Sequence, residues 1–182
     1  MDRVVVEQAQ RGDREAFAVL ARQMSDSLYS VAYRILRDTG LAEDALQNAL
    51  VLAWRQLPRL RDPDRFEAWA HRILVHACYD ESTRTRSWRT TVTELPMAGP
   101  SHPDATGTID DRDELERAFQ QLTVEQRAVF VLHHYLGWSL VEVAEMLGIP
   151  AGTARSRLHY AIAGLRAALT NVPEPVGRGQ LA

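Results

Sequence analysis

Phe17, Leu20, Met24, Leu28, Val31 and Ile35 recur at three- and four-residue intervals through "GDREAFAVLARQMSDSLYSVAYRILRD", the period of a helix with one apolar face. Gly40 ends that run. A cleaner stripe follows from Leu41 to Leu57: Ala42, Ala45, Leu46, Ala49, Leu50, Ala53, Trp54 and Leu57, with Glu43, Asp44, Gln47 and Asn48 on the other face and Pro58 as the stop. "DPDRFEAWAHRILVHACYDESTRTRSWR" predicts a further helix with Phe66, Trp69, Ala70, Ile73, Leu74 and Ala77 inward, and a basic, aromatic end at Arg84, Arg86, Trp88 and Arg89. No segment alternates as a strand does, so the expected class is all-α.

The C-terminal third predicts four helices. The first runs from Asp111 to Gln121. "LTVEQRAVFVLHHYLG" opens on a capping-box pattern, Thr123 with Gln126, and closes at Gly137. "SLVEVAEMLG" repeats the device with Ser139 and Glu142, and Gly148 stands at its end; "IPAGTARSRLHYAIAGLRAAL" follows. Two helices joined by a short Gly-containing turn form the helix-turn-helix pattern. Val143, Ala144, Leu147, Ala154, Leu158, Ala161 and Leu165 fall on its inner side. Gly152, Thr153, Arg155, Ser156, His159 and Tyr160 lie at the start of the last helix, most of them outward, with Arg157 at the flank.

Between these regions "TTVTELPMAGPSHPDATGTIDD" carries Pro, Gly and Thr without apolar periodicity, and reads as an exposed linker. The expected organisation is a domain at 1–88, a flexible linker at 89–110, a second domain at 111–171 and a frayed tail at 172–182. The formal net charge of −3 argues against a nucleic-acid partner until its distribution is read. Residues 90–114 hold one Arg and six acids, whereas each flank has one more Arg than acids. Acidity belongs to this middle segment, and the arginines cluster elsewhere. Cys78 is the sole cysteine, which excludes a disulfide framework and is expected in the core. No apolar run approaches the ~20 residues of a membrane span, and the N-terminus lacks a signal-peptide core, so the expected compartment is the cytoplasm.

The second helix of a helix-turn-helix lies in the DNA major groove with its N-terminal residues at base edges. Arg155 suits guanine, Ser156 either base type, His159 and Tyr160 a base edge or phosphate, and Arg157 a phosphate. Catalytic readings have little to stand on. His133 and His134 are adjacent on a helix and point about 100° apart, so they do not converge with Glu142 on one ion. There is no Gly-rich phosphate loop or nucleophile elbow. No metal, cofactor or enzymatic activity is expected.

The blocks together resemble the extracytoplasmic-function (ECF) sigma factors, the short two-domain members of the sigma-70 family of RNA polymerase sigma factors. "GDREAFAVL", "AEDALQNALVLAW" and "FEAWAHRI" resemble the family's sigma-2 domain, and "LTVEQRAVFVLHHYLGWSLVEVAEMLGIPAGTARSRLHYAIAGLR" resembles its sigma-4 domain. The resemblance covers about residues 5–170. The remaining alternative is a stand-alone helix-turn-helix regulator whose N-terminal domain senses a ligand or partner.

The resemblance implies a set of roles. Glu43, Asp44, Gln47 and Asn48 would dock on the clamp helices of core RNA polymerase; Asn48 stands where the family frequently has an acid. The segment Phe66 to Arg89 would melt and read the −10 promoter element through Trp69, Arg72, His76, Arg84, Arg86 and Trp88, with aromatic and Arg side chains holding unstacked bases. His76 stands where Asn is frequent. Gly152, Thr153, Arg155, Ser156, Arg157, His159 and Tyr160 would read the −35 element; Tyr160 stands where Arg is frequent. The implied partners are core polymerase, promoter DNA and an anti-sigma factor, with no membrane insertion.

Overall fold

The computed structural model describes residues 1–91 and 109–170, with side chains described up to residue 85 and from 115 to 168. Eight α-helices and two single turns of 3-10 helix make up the described residues, and there is no strand among them. The helices are α1 (Arg3–Gln10), α2 (Arg14–Leu36), α3 (Thr39–Gln56), α4 (Phe66–Thr91), α5 (Ile109–Gln121), α6 (Val124–His134), α7 (Leu140–Leu147) and α8 (Ala151–Thr170). Of the linker expected at 89–110, residues 92–108 lie outside the described residues, while α4 and α5 take in its two ends; the tail at 172–182 also lies outside them.

Local chemistry sets each boundary. Asp2, Asp13 and Asp38 cap α1, α2 and α3 by accepting from backbone N–H groups of the first turn. α2 ends on Arg37, in the left-handed region at φ 58°. Pro58 and Pro63 interrupt the chain after α3, and the two 3-10 turns Leu57–Arg59 and Pro63–Arg65 carry it to α4. Thr123/Gln126 and Ser139/Glu142 both form complete capping boxes, with side chain and backbone bonded in both directions.

α1 to α4 bury the stripes that the spacing predicts. Leu20, Met24, Leu28, Val31 and Ile35 of α2 meet Ala42, Ala45, Ala49 and Ala53 of α3 and Phe66, Ala70, Ile73, Leu74 and Ala77 of α4. The alanines let α3 approach α2 and α4 closely, and Phe17 covers Trp54 with ring centroids 5.0 Å apart. Cys78 is fully buried, and burial pushes its thiol up to about 12, which leaves it an inert core residue. α1, to which the periodicity does not point, adds Val6 and Ala9 to this core.

The C-terminal helices do not stand apart. Leu132 and Val129 of α6, Val143 and Leu147 of α7 and Leu158 of α8 belong to the same apolar cluster as α2 and α4. A smaller cluster, Ala118, Leu122, Ala161 and Leu165, joins α5 to α8. A Cβ on Gly164 would meet Leu122 Cδ2 at 3.0 Å, so glycine permits that approach. Polar contacts frame the seam between the halves. Arg37 donates from Nε to Glu116 Oε1 at 2.8 Å and closes a second contact from Nη2 to Oε2. The Arg34 guanidinium lies 3.9 Å from the Tyr135 ring centroid, and His71 meets Trp138 edge-on.

Candidate nucleic-acid interface

The turn between α7 and α8 is built by glycine and proline. Gly148 sits at φ 66°, a conformation that L side chains rarely adopt, and the Ile149 N–H reaches back to the Ala144 carbonyl at 3.0 Å. Pro150 starts the next turn; its carbonyl accepts from Thr153 at 2.9 Å and Ala154 at 3.1 Å. α7 and α8 therefore meet in helix-turn-helix geometry. Ala154, Leu158, Ala161 and Leu165 are buried on one side of α8. Arg155, Ser156, His159 and Tyr160 are exposed on the other, with Gly152 beside them.

This outer face is chemically open. Arg155 has no ion pair among the described residues, Ser156 turns its hydroxyl onto the Thr153 carbonyl at 3.0 Å, and the His159 and Tyr160 rings lie 5.7 Å apart. Tyr160 is 62% exposed, a large ring held out by a helix with nothing over it. The N-terminal end of α8 adds the positive end of a helix dipole, which favours an anion. Arg157 differs from its neighbours. It is half-buried, and its charge is felt by the Tyr79 phenol of α4, which burial pushes up to about 12 while Arg157 pulls it down. Thr153 is also half-buried.

On α4, Arg72 and His76 are exposed and Trp69 is half-buried against Phe66, ring centroids 5.8 Å apart. Arg72 lies beside the helix-turn-helix: its Nη2 is 3.9 Å from where a Cβ on Gly148 would stand. Arg84 pairs with Glu81. The side chains of Arg86 and Trp88 lie outside the described residues, although α4 runs through both positions.

On α3, Glu43, Asp44, Gln47 and Asn48 are all exposed, opposite the alanine stripe. Glu43, Asp44 and Gln47 make no hydrogen bond or ion pair among the described residues. Asn48 does: its amide donates to Glu81 Oε1 at 2.6 Å. The sequence pattern contained no signal for this, because an exposed amide on α3 and a glutamate far along the chain share no periodicity.

Two buried polar groups also escape a sequence reading. His71 is 1% exposed; Nδ1 donates to the Glu67 carbonyl at 2.9 Å, Nε2 has no partner, and burial lowers its pKa. Arg127, 8% exposed, donates to the Phe119 carbonyl at 3.3 Å, and burial lowers its pKa too. The histidines considered for catalysis have other engagements: His133 Nδ1 donates to the Trp138 carbonyl at 2.6 Å, and His134 packs on Phe130 with ring centroids 4.6 Å apart. No group of three or more His, Cys, Asp or Glu residues among the described residues is placed to hold a metal ion.

The described residues are helical throughout their regular elements, and they present an acidic face on α3 and an exposed helix-turn-helix at α7 and α8, an arrangement found in nucleic-acid-binding proteins. Two family models match it: Sigma-70 region 2 over residues 20–89 and Sigma-70, region 4 over residues 112–163. The ECF RNA polymerase sigma factor SigM of Mycobacterium tuberculosis is 36% identical over 156 residues, 85% of this chain and 77% of that protein. SigL of the same species is 35% identical over 166 residues, 87% and 93% of the two chains. The sigma factor RpoE of Bartonella quintana, solved with the anti-sigma factor NepR, superposes with a TM-score of 0.70 at 22% identity, covering 86% of this chain and 98% of that one. The chain belongs to the ECF sigma factors of the sigma-70 family. No helix among the described residues is long and apolar enough to cross a membrane.

Proposed function

We infer that the protein is a transcription initiation factor that binds core RNA polymerase and directs it to promoters through their −10 and −35 elements. The observation that carries this is the pair of sigma-70 regions in one chain, in order, each with its polar face exposed. Glu43, Asp44 and Gln47 of α3 dock on the polymerase, where free carboxylates and an amide suit arginine partners. Arg72, His76 and Arg84 of α4 face the −10 strand, with Trp69 at the edge of the apolar core. Arg155, Ser156, His159 and Tyr160 of α8 enter the −35 major groove. The protein acts in the cytoplasm, supplies no catalytic group and takes no cofactor. An anti-sigma factor is its second protein partner; the fold it shares with RpoE of Bartonella quintana, which was solved with one, supports this.

The −35 and −10 labels are about 25 positions apart, roughly 85 Å of duplex at about 3.4 Å per pair. In this structure Arg72 sits beside the helix-turn-helix turn. The docked arrangement is therefore the resting form, and the two halves separate on the promoter. Gel-shift titrations of a promoter fragment with the protein alone, core polymerase alone and both test the reading. A sigma factor gives a sequence-specific complex only with both. A stand-alone regulator gives the same complex without polymerase.

A further inference from the structure

We propose that Glu81 is a positioning residue for promoter recognition: a buried carboxylate that holds Arg84 toward the −10 strand and is itself braced by Asn48 of the polymerase-docking helix. It rests on the reading of α4 as the −10 element.

The argument begins with an anomaly. Glu81 is 2% exposed, and a buried carboxylate is retained in a helical core only with partners for its charge. Glu81 has two, one for each oxygen. Asn48 Nδ2 donates to Oε1 at 2.6 Å across the α3–α4 packing, and Arg84 donates from Nη2 to Oε2 one turn further along α4. Each carboxylate oxygen thus has its own partner, one from α3 and one from α4. The local dielectric is low because Ala77 and Cys78, one turn earlier, are buried, which makes the bonds directional.

Among the described residues this contact anchors Arg84 and leaves most of its side chain exposed. One of its five N–H donors is engaged with Glu81, and its side chain is 67% exposed. At about 100° per residue, Arg72, His76 and Arg84 lie within about 120° around the α4 axis, so Arg84 continues the exposed strip of the other two. A long, free arginine would sample many rotamers and would lose that freedom on binding DNA. Glu81 removes part of the loss beforehand. Asn48 lies one helical turn beyond Asp44, so the brace starts on the face that meets the polymerase. Positions 48 and 81 thus tie polymerase docking to the placement of a −10 contact.

The test is a double-mutant cycle in assembled holoenzyme at saturating core polymerase. The readout is the equilibrium for opening a −10 region that carries 2-aminopurine in the melted strand. Arg84→Ala lowers that equilibrium about tenfold, the loss of one DNA contact. Glu81→Met lowers it by a similar factor, and the double variant is no worse than either single one, because all three remove the same contact. A further tenfold loss from Glu81→Met in the Arg84→Ala background would show that Glu81 only glues α3 to α4, and would overturn the proposal. So would a Glu81→Met variant that opens the promoter as wild type does. Should Glu81→Met fail to fold by circular dichroism, the cycle is run with Glu81→Leu, which likewise removes both acceptors, under the same criteria. An Arg84→Ala variant with wild-type opening would instead refute the assignment of Arg84 to the −10 strand, and the positioning proposal with it.

Discussion

His71 of α4 stands edge-on to Trp138 in the turn before α7, ring centroids 5.5 Å apart and planes at 76°. The pair joins the two halves of the molecule. Nδ1 donates to the Glu67 carbonyl, and a proton added to the unpartnered Nε2 would find no acceptor inside an apolar seam. Burial lowers the His71 pKa below its ordinary value of 6.5; the Glu67 backbone bond and carboxylate oppose this only partly.

The sign of the pH effect follows. A histidine whose pKa is depressed in the docked form binds its proton more readily when the halves are apart. Docking is at full strength above about pH 6.5 and is lost as pH falls through the lowered pKa. Energy transfer between dyes on α1 and α8 should therefore decrease reversibly on acidification, and His71→Phe should flatten the profile. A His71→Phe profile that overlays the wild type would assign the transition to another group.

Arg37 and Glu116 make the second prediction. Glu116→Arg places a cation against Arg37, and Arg37 already lowers the pKa of buried Arg127, so three guanidinium groups would crowd one seam. Docking should weaken by about 1–3 kcal/mol, as for a partly buried pair that loses one partner. Arg37→Gly separates two effects, because Arg37 is in the left-handed region at φ 58°. Glycine removes the conformational cost, about 1 kcal/mol, while deleting the ion pair. The isolated 1–91 segment should melt at a higher temperature, and the full chain should show weaker docking by the same energy transfer.

On α8, Arg155→Ala should cost about 1–3 kcal/mol at one −35 base pair and relax the preference there. Arg157→Ala should leave the preference intact. Arg157 is half-buried toward α4, so its loss should also change docking, a readout that Arg155→Ala leaves still. Promoter-library output at two salt concentrations measures the first pair of effects. A shifted −35 preference for Arg157→Ala would mean that the base-reading face has been set on the wrong side of the helix.

What the chain reveals before folding is its local chemistry. The capping boxes at Thr123 and Ser139, the left-handed Gly148 and the Ala154–Leu158–Ala161–Leu165 face are each written within a few residues, and all are found as read. The exposed faces of α3 and α8 follow from the same periodicity. α1 escapes because eight residues with two buried positions, Val6 and Ala9, make too short a stripe. The seam escapes for a different reason. Arg37 and Glu116 are 79 positions apart, and Asn48 and Glu81 are 33 apart, so each pairing depends on how whole helices pack. Polar residues that look like solvent-facing members of a helix are then found bonded to each other.

The most direct measurement of the central claim is run-off transcription from a promoter library by core polymerase, with no protein, with wild type and with Asp44→Arg. Wild type should produce transcripts from a subset sharing one −35 and one −10 sequence, and core alone should not. Asp44→Arg should lose this output through a core affinity lower by about 2–5 kcal/mol, the cost of removing one partner of a buried charged contact, with DNA binding by the C-terminal half unaffected. Transcripts independent of the protein, or an Asp44→Arg variant as active as wild type at limiting core, would contradict the account.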